Sequence, residues 1–468
     1  MSLLIRGGTL VDASGSRTGE VLVEGELIAA VGERLEAPGA DVIDASGALV
    51  IPGAIDAHTH FDLPVGAVRS SDDFESGSVA AACGGTTCVI DFAGAGREPP
   101  DEALEAWHTK ADGRSAIDYA FHLTVTEVPE DPDRAVALFT SFVERGVASV
   151  KLYLAYPERL MVDSATLGRA LAASRTTGVL VAVHAEDGLE VERRTVEALA
   201  AGRRHPGWLA EVRPPEVEAD AVRMAGALAA DAGAPLYVVH LSSEAGLDAV
   251  RAARAAGATV FAETCPQYLF LTNDLLRGRE DEGVDFVCAP PLRADADREA
   301  LWDGVSDGSI QVVATDHCPF TKRDRRRGVA GHPGGWRDFS DVPGGLPGVE
   351  TRLSLVYQGV RQGWLSAPEW VAAVSGTPAR LFGLAYRKGR LVPGMDADLV
   401  VFDPEATRRL DAARLHMRTD HSPYAGEEVQ GWAAVTMSRG RVVSRDGEPQ
   451  VAGPGWGRFV PCRPFGWR

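Results

Sequence analysis

Long apolar runs, paired cysteines and an excess of positive charge are all missing from this 468-residue sequence. No stretch approaches the ~20 apolar residues that a membrane span requires, and the start, MSLLIRG, has no apolar run of signal-peptide length. Six cysteines occur without a C-x-x-C pair, so neither a disulfide framework nor a zinc ribbon is expected. These absences predict a soluble protein of the cytoplasm.

The charge balance is acidic. Lysine and arginine total 47 against 66 aspartates and glutamates, which gives a net charge of −19. Such a surface repels phosphate backbones and anionic lipid, so we expect neither a nucleic-acid partner nor a membrane surface. A composition of 45% hydrophobic and 24% charged residues is typical of a globular protein with a sizeable core.

Eight apolar, β-branched runs alternate with alanine-rich amphipathic segments in the middle of the chain. They are GAIDAHTH, TTCVIDFAG, IDYAFHLTV, ASVKLYLAY, GVLVAVHAE, APLYVVHLS, GATVFAETCP and IQVVATDH. This alternation predicts the α/β class and a parallel (β/α)8 TIM barrel. A doubly wound open sheet is the alternative, although no G-x-G-x-x-G follows the first strand and no phosphate-cradling glycine loop is present.

The two ends of the chain read differently from the middle. Short strand patterns separated by glycine turns occur near both termini and predict a small discontinuous β-sandwich. The last residues are rich in proline, glycine and aromatics, which is typical of an arm lying on a neighbouring surface. The predicted parts are 1–52 and 389–455 for the β-sandwich, 53–388 for the catalytic barrel and 456–468 for the C-terminal arm.

Four histidines stand at or near the carboxyl ends of predicted barrel strands, where barrel enzymes build their active sites. They are His58, His60, His184 and His240. Because His58 and His60 are two residues apart on an extended segment, both side chains can reach one ion. A single strand histidine is more often a packed core residue, but four at equivalent strand ends favour metal ligation.

Asp316 and Lys151 extend this pattern. Asp316 ends the eighth predicted strand and either joins the ligands or caps the following segment, whereas His317 points to the opposite face and is expected to be structural. Lys151, one of only four lysines, lies within the apolar run SVKLYLAY. A buried lysine is costly unless its pKa falls or its nitrogen is modified or paired. Carbon dioxide would convert the neutral amine to a carbamate that can bridge two ions; the alternative is an ammonium reaching the barrel rim.

Motifs along nearly the whole chain resemble the cyclic amidohydrolases of the amidohydrolase superfamily, and within them the dihydropyrimidinases and hydantoinases. They include IPGAIDAHTHFDLP, SVKLYLAY, VHAEDG, RPPEVEADA, YVVHLSS, ETCPQYL, TDHCPF and RLVPGMDADLVVFDP. The resemblance implies a hydrolase that opens the cyclic amide bond of dihydropyrimidines and 5-substituted hydantoins to N-carbamoyl amino acids. Its substrate is a small cyclic ureide or imide.

The resemblance also implies roles for individual residues. Two divalent ions, with Zn²⁺ as first choice, are held by His58 and His60, by His184 and His240, by carbamylated Lys151 as a bridge and by Asp316. Asp316 is implied to carry a proton from the attacking water to the leaving ring nitrogen. Tyr156, five residues after Lys151, is implied to donate to the developing oxyanion, with a packed rim aromatic as the alternative.

Substrate contacts follow from the same resemblance. Leu63, Val65 and Tyr153 match positions that shape the pocket for the ring substituent. Ala289 and Gly344 match positions where the family has a serine and an asparagine beside main-chain contacts to the imide, so ring specificity is open. The arginine-rich segment KRDRRRGVAGHPGGWRDF is expected to be a solvated loop, although loops at this rim often cover the site.

Several rival functions stay open at the sequence level. Allantoinase shares the metal set and is the alternative enzyme. Dihydroorotase is disfavoured because Phe61 and Asp62, rather than an arginine, follow His60. A metal-free scaffold and a simple binding or transport role are the non-enzymatic alternatives. The resemblance further implies a homotetramer, and the ligand types would also suit manganese, cobalt or nickel.

Overall fold

The structure is a computed structural model that describes residues 2–157, 159–450 and 455–466. Residues 451–454 of the predicted C-terminal β segment and residues 467–468 of the predicted arm lie outside the described residues. Among the helices of the described ranges, none combines the length and the apolar character that a membrane crossing requires.

The described part of the chain contains nineteen strands. They are β1 (Ser2–Asp12), β2 (Gly15–Glu24), β3 (Leu27–Gly32), β4 (Asp41–Asp44), β5 (Leu49–Pro52), β6 (Ala54–Thr59), β7 (Pro64–Val65), β8 (Val68–Arg69), β9 (Thr86–Ala93), β10 (Asp118–Thr124), β11 (Ser149–Tyr153), β12 (Leu180–His184), β13 (Leu236–Val238), β14 (Val260–Thr264), β15 (Val312–Val313), β16 (Leu399–Arg409), β17 (Glu428–Ser438), β18 (Arg441–Arg445) and β19 (Glu448–Pro449).

Fifteen α-helices connect these strands within the described ranges. They are α1 (Phe74–Cys83), α2 (Pro100–Ala111), α3 (Pro132–Glu144), α4 (Ser164–Thr177), α5 (Gly188–Ala200), α6 (Trp208–Val212), α7 (Pro215–Ala232), α8 (Glu244–Ala255), α9 (Pro266–Phe270), α10 (Glu280–Gly283), α11 (Asp295–Ser306), α12 (Lys322–Arg327), α13 (Arg352–Arg361), α14 (Ala367–Val371) and α15 (Thr377–Leu381). Short 3₁₀ turns cover Asn273–Arg277, Val284–Phe286 and Ala412–Arg414, and a π-helical turn covers Ala372–Gly376.

Eight parallel strands form the central sheet in the order β6, β9, β10, β11, β12, β13, β14 and β15. The last strand region returns to the first, because Thr59 bridges His317 and the His60 N–H donates to the His317 carbonyl at 2.9 Å. All eight strands lie within the eight apolar runs of the sequence. Alternate residues such as Ile55 and Ala57 point inward and pack in the barrel interior. This arrangement fits the predicted (β/α)8 barrel.

A second sheet joins the two ends of the chain. Its strand order is β19, β18, β17, β16, β5, β1, β2 and β3, with β4 beside β1. The junction is the antiparallel pair of β5 and β16, in which Val50 lies opposite Val401. The N- and C-terminal segments therefore share one nine-stranded sheet, while its sandwich form and the exact domain boundaries stay predictions.

A buried ionic cluster fastens this sheet to the barrel. Lys388 Nζ donates to Asp118 at 2.8 Å, to Asp396 at 3.1 Å and to Asp398 at 2.5 Å. Burial alone would lower the pKa of Lys388, but these carboxylates outweigh it and raise the pKa well above its ordinary value. The charged ammonium thus links the first residue of β10 to the segment that leads into β16.

The described part of the C-terminal arm lies on the chain's own barrel. The Val460 N–H donates to the Tyr119 carbonyl at 2.8 Å, and the Tyr119 N–H donates to the Arg458 carbonyl at 3.1 Å. Val460 and Cys462 are buried in the same apolar cluster as the inward residues of the barrel strands. The arm covers the end of the barrel where the strands begin, because its apolar side chains fill the opening there.

Candidate active site

One cavity of about 350 Å³ lies at the carboxyl ends of the barrel strands. Every site residue predicted from the sequence lines it. These residues are His58, His60, Leu63, Val65, Lys151, Tyr153, Tyr156, His184, His240, Ala289, Asp316 and Gly344. The fold therefore brings all twelve together, while their individual roles stay predictions.

Three ligand atoms meet on one side of this cavity. The Nε2 atoms of His58 and His60 are 3.2 Å apart. Asp316 Oδ1 lies 3.1 Å from the first of them and 3.0 Å from the second. This spacing places two nitrogens and an oxygen where one cation could bind, as the donor types of a zinc site require.

The second histidine pair lies beside the first. His184 Nδ1 and His240 Nε2 are 2.9 Å apart. The ring centres of His240 and His58 are 5.5 Å apart. Because β12 and β13 are neighbouring parallel strands, their carboxyl ends deliver these two side chains to the same edge of the barrel. Two adjacent sets of imidazoles therefore face one space.

Lys151 reaches into this space from β11. Its side chain is fully buried, and Nζ has no hydrogen-bond partner among the described residues. Burial lowers the pKa of the ammonium to about 8, against the opposing charges of Asp316 and Glu263. The neutral amine is therefore more accessible at neutral pH than that of an ordinary lysine. An unpartnered buried amine is costly.

The buried charges within the site are strongly coupled. Burial lowers the pKa of His60 to about 4. Burial also lowers the pKa of His58, but the charges of Asp316 and Glu263 outweigh it and raise the pKa to about 9. The carboxyl of Asp316 behaves oppositely: burial raises its pKa, yet the two histidines hold it well below its ordinary value. Asp316 is therefore a carboxylate at neutral pH.

Glu263 on β14 supports both sets of histidines, and the sequence analysis missed it. Its Oε1 lies 2.6 Å from His58 Nδ1 and accepts from the His240 main-chain N–H at 3.2 Å. The Tyr237 hydroxyl donates to its other oxygen at 2.8 Å. Such outer carboxylates fix the orientation and tautomer of ligating histidines. A glutamate inside the apolar run GATVFAETCP was the available signal.

Glu186 supports the second pair in the same way and was also missed. Its Oε2 lies 2.7 Å from His184 Nε2, and Arg213 Nε donates to its Oε1 at 3.0 Å. The Arg213 guanidinium carbon lies 5.5 Å from the ring centre of Tyr156. This chain of contacts ties a predicted ligand to the predicted oxyanion donor. The motif VHAEDG contains Glu186, but only the tertiary structure pairs it with Arg213.

The backbone is unusual at three of the predicted residues. Tyr156, His240 and Asp316 have φ values of 66°, 38° and 52°. Residues other than glycine rarely adopt this left-handed region, and such strain is concentrated at functional sites. Burial raises the pKa of the Tyr156 hydroxyl, so this group keeps its proton at neutral pH and can donate a hydrogen bond.

The rest of the cavity wall is mainly apolar. Leu63, Val65 and Tyr153 line it together with Val191, Leu209, Val212, Val287, Phe339 and Val342. The arginine-rich segment after the eighth strand ends at Phe339, whose side chain lines the cavity. At Gly344 an added Cβ would meet nothing closer than Cys288, at 3.7 Å. The missing side chain therefore leaves this part of the cavity wider.

His317 lies outside the cavity, as expected from its position beside Asp316. Its Nδ1 accepts from the Gly348 N–H at 3.1 Å, and its Nε2 lies 3.2 Å from an oxygen of Asp72. Both contacts are buried, so its ring holds the loop before α13 against the start of α1.

The family model described as Amidohydrolase family matches residues 49–443. The chain is 41% identical to a D-hydantoinase of Streptomyces coelicolor over 466 residues, which cover 98% of this chain and 97% of that one. It is 39% identical to a D-hydantoinase of Geobacillus stearothermophilus over 468 residues, 100% of this chain and 98% of that one. The crystal structure of a dihydropyrimidinase from Brevibacillus agri NCHU1002 superimposes with a TM-score of 0.95 at 39% identity, covering 100% of both chains.

Proposed function

The chain belongs to the amidohydrolase family. We propose that it hydrolyses the cyclic amide bond of 5-substituted hydantoins and dihydropyrimidines to N-carbamoyl amino acids. The observation that carries the proposal is the single cavity that gathers four histidines, a buried lysine and a carboxylate at the strand ends. The names of the relatives support this substrate class. None of these three relatives is named as an allantoinase, so that alternative has no support.

We infer that the cavity holds two divalent ions, with Zn²⁺ as first choice. His58, His60 and Asp316 would hold one, His184 and His240 the other, and carbamylated Lys151 would bridge them. Histidine nitrogens and carboxylate oxygens suit zinc, and the unpartnered Nζ of Lys151 supports a modified side chain. When bound, such ions would lower the pKa of a water molecule and polarise the substrate carbonyl.

Two residues would handle proton and charge during ring opening. The attacking water forms the new C–O bond, and the C–N bond of the ring breaks. Asp316, a carboxylate at neutral pH, would take the proton of the water and deliver it to the leaving nitrogen. Tyr156 would donate its O–H to the carbonyl oxygen as this atom gains negative charge.

The lining of the cavity indicates which substituent the substrate ring carries. Leu63, Val65 and Tyr153 form part of an apolar lining that suits an aliphatic or aromatic group at the 5-position. The cyclic imide would contact main-chain groups beside Ala289 and Gly344. Because two of the relatives are named D-hydantoinases, we propose a preference for the D-enantiomer.

A substrate panel tests this function. The zinc- and bicarbonate-loaded protein would be assayed on dihydrouracil, D- and L-5-benzylhydantoin, allantoin and dihydroorotate, with chiral chromatography of the products. We expect turnover of dihydrouracil and of both hydantoins, with D-5-benzylhydantoin hydrolysed faster than the L-enantiomer. Asp316→Asn is the control, because it keeps the shape and removes the proton acceptor. Turnover of allantoin alone, or none with metal bound, would reject the proposal.

The assembly state rests on the resemblance alone. We propose a homotetramer, in keeping with the family. Light scattering of the purified protein tests it, and a mass close to the 49.6 kDa of one chain would reject it.

A further inference from the structure

A groove of about 580 Å³ runs along the outer side of the β7–β8 hairpin. Four exposed arginines line it, and Asp324 is its only carboxylate among the described residues. We call it the arginine groove; its arginines are Arg69, Arg323, Arg327 and Arg418. In a chain with a net charge of −19, this groove concentrates positively charged side chains.

Two of the four arginines of this groove form ion pairs, and the other two form none with the described residues. Arg69 pairs with Asp62 at 2.7 Å, and Arg418 pairs with Asp73 at 2.9 Å. In the described part of the chain, no carboxylate lies within ion-pair distance of Arg323 or Arg327. These two stand four residues apart on α12, so they lie on the same side of the helix.

A third arginine of α12 shows the contrast. Arg325 is fully buried and donates to the main-chain carbonyls of Val284 at 2.9 Å and Pro343 at 3.2 Å. Its role is to hold loops together. Among the described residues, Arg323 and Arg327 have no such partners, so their guanidinium groups are available to a ligand.

The arginine groove shares a wall with the candidate active site. Pro64 lines both spaces. Ser70, on the floor of the groove, donates its hydroxyl to the carbonyl of His60 at 2.7 Å, and its N–H donates to the Leu63 carbonyl at 2.9 Å. An occupant of the groove would therefore contact the same hairpin whose Leu63 and Val65 face the substrate cavity.

We propose that the arginine groove binds a phosphate group, free or carried by a small molecule, and that its occupancy changes the substrate affinity of the cavity through the β7–β8 hairpin. A guanidinium group can donate two parallel hydrogen bonds to two oxygens of one phosphate. A doubly charged phosphate also neutralises more arginines than a singly charged carboxylate does. The hydroxyls of Ser71 and Thr321, which line the same groove, can add hydrogen bonds. The binding stands apart from the proposed hydrolysis, whereas the effect on substrate affinity rests on it.

Calorimetric titration of the metal-loaded protein with inorganic phosphate, at ionic strength held constant with sodium chloride, tests the binding. The variant Arg323→Gln/Arg327→Gln is compared with Arg17→Gln/Arg34→Gln, which removes two exposed arginines of the N-terminal strands and their turn. We expect the first variant to bind phosphate at least about tenfold more weakly, since it loses the charge-assisted hydrogen bonds of two guanidinium groups. Equal affinity in all three proteins would overturn the proposal, because any bound phosphate would then lie outside the arginine groove.

The KM for a 5-substituted hydantoin tests the coupling. We expect phosphate to change the KM of the unmodified protein and of the Arg17/Arg34 variant, but not that of the Arg323/Arg327 variant. An identical response of all three proteins, or an effect reproduced by sodium chloride, would overturn it. Glycerol 3-phosphate in place of inorganic phosphate shows whether the source is a phosphomonoester. Phosphate binding without turnover of any cyclic amide would reject the proposed function and leave the groove's binding intact.

Discussion

Glu263 connects two histidines that come from different strands. It accepts from the His240 main chain and contacts the outer ring nitrogen of His58, so a single carboxylate orients members of both ligand groups. The hydroxyl of Tyr237 occupies its second oxygen. With both oxygens engaged and no solvent exposure, this carboxylate has little freedom to move. It is a positioning residue for the proposed metal centre.

We expect Glu263→Gln to weaken metal binding about 10–100-fold, because outer carboxylates contribute this much to metal affinity. Glutamine keeps one acceptor oxygen, but it lacks the negative charge of the carboxylate, and its amide nitrogen cannot accept a hydrogen bond. Titration against a competing chelator measures the affinity. The exposed Glu299→Gln on α11 is the matched control. An affinity equal to that of the control would show that Glu263 does not position His58.

Lys151→Ala tests the bridging role directly. We expect less bound metal and an activity loss greater than about 100-fold, because a bridging ligand matters more than the groups that support it. Metal content by mass spectrometry and kcat for a hydantoin are the measurements. Partial rescue by a short carboxylic acid would identify the missing group as a carboxylate. Lys322→Ala, at a half-buried lysine outside the cavity, is the control. Full metal content in Lys151→Ala would refute the bridge.

At the scale of elements, the strand ends matter more than the strand interiors. β13 ends at Val238 and β15 at Val313, so His240 and Asp316 lie just beyond regular strand structure. Both have left-handed backbone conformations there. The parallel strands align the ends, and the local change of backbone direction turns the side chains into the common cavity. His240 and Asp316 thus carry this strain at the carboxyl ends of the barrel strands.

The start of α1 gives a prediction that depends on pH. Asp73 caps this helix by accepting from the N–H groups of Glu75 and Ser76. Burial raises the pKa of Asp73, but the bonds from Ser76 and the charge of Arg418 outweigh it and lower the pKa. A carboxyl with a lowered folded pKa stabilises the protein above its unfolded pKa of about 3.9, and this stabilisation is lost as the pH falls through the folded value.

Asp73→Ala should therefore cost about 1 kcal/mol of stability at neutral pH, and less as the pH falls below about 4. The thermal midpoint, followed from pH 7 downwards, is the measurement. Asp303→Ala, at an exposed position inside α11, serves as the control. A midpoint difference that stays constant down to the lowest pH would mean that the charged carboxylate is not the source of the stabilisation.

In the molecule as a whole, the candidate active site and the packed C-terminal arm lie at opposite ends of the barrel. The proposed metal centre occupies the carboxyl end of the strands, and the C-terminal arm covers the other end. Val460 is fully buried there, in contact with the apolar cluster of the barrel interior. Changes in the arm should therefore alter the free energy of unfolding without altering the site.

Val460→Ala is expected to destabilise the protein by about 2 kcal/mol, through lost burial and the cavity left behind. Thermal unfolding and kcat for a hydantoin would be measured on the same preparation. Val42→Ala removes the same two methyl groups at a position that is 53% exposed, and should change little. A fall in kcat in parallel with the thermal midpoint would contradict the separation of the two ends.

Much of the architecture and of the site could be predicted from the sequence. The eight barrel strands follow from local β-branched runs, and the six proposed metal ligands follow from polar residues placed within or at the ends of these runs. Both signals are short in range, because strand formation and side-chain alternation are local properties. Strand patterns near each terminus likewise predict that the two ends of the chain meet in one β domain, and both ends contribute strands to one sheet.

Local patterns along the chain therefore indicate which residues could act and on which strands they lie. The folded structure adds the pairing of Glu263 with His58 and of Glu186 with Arg213, the position of the arm on its own barrel, and the arginine groove beside the hairpin. Each of these depends on contacts between residues far apart along the chain. Their formation is a consequence of closing the barrel and burying its surfaces, and no local pattern encodes it.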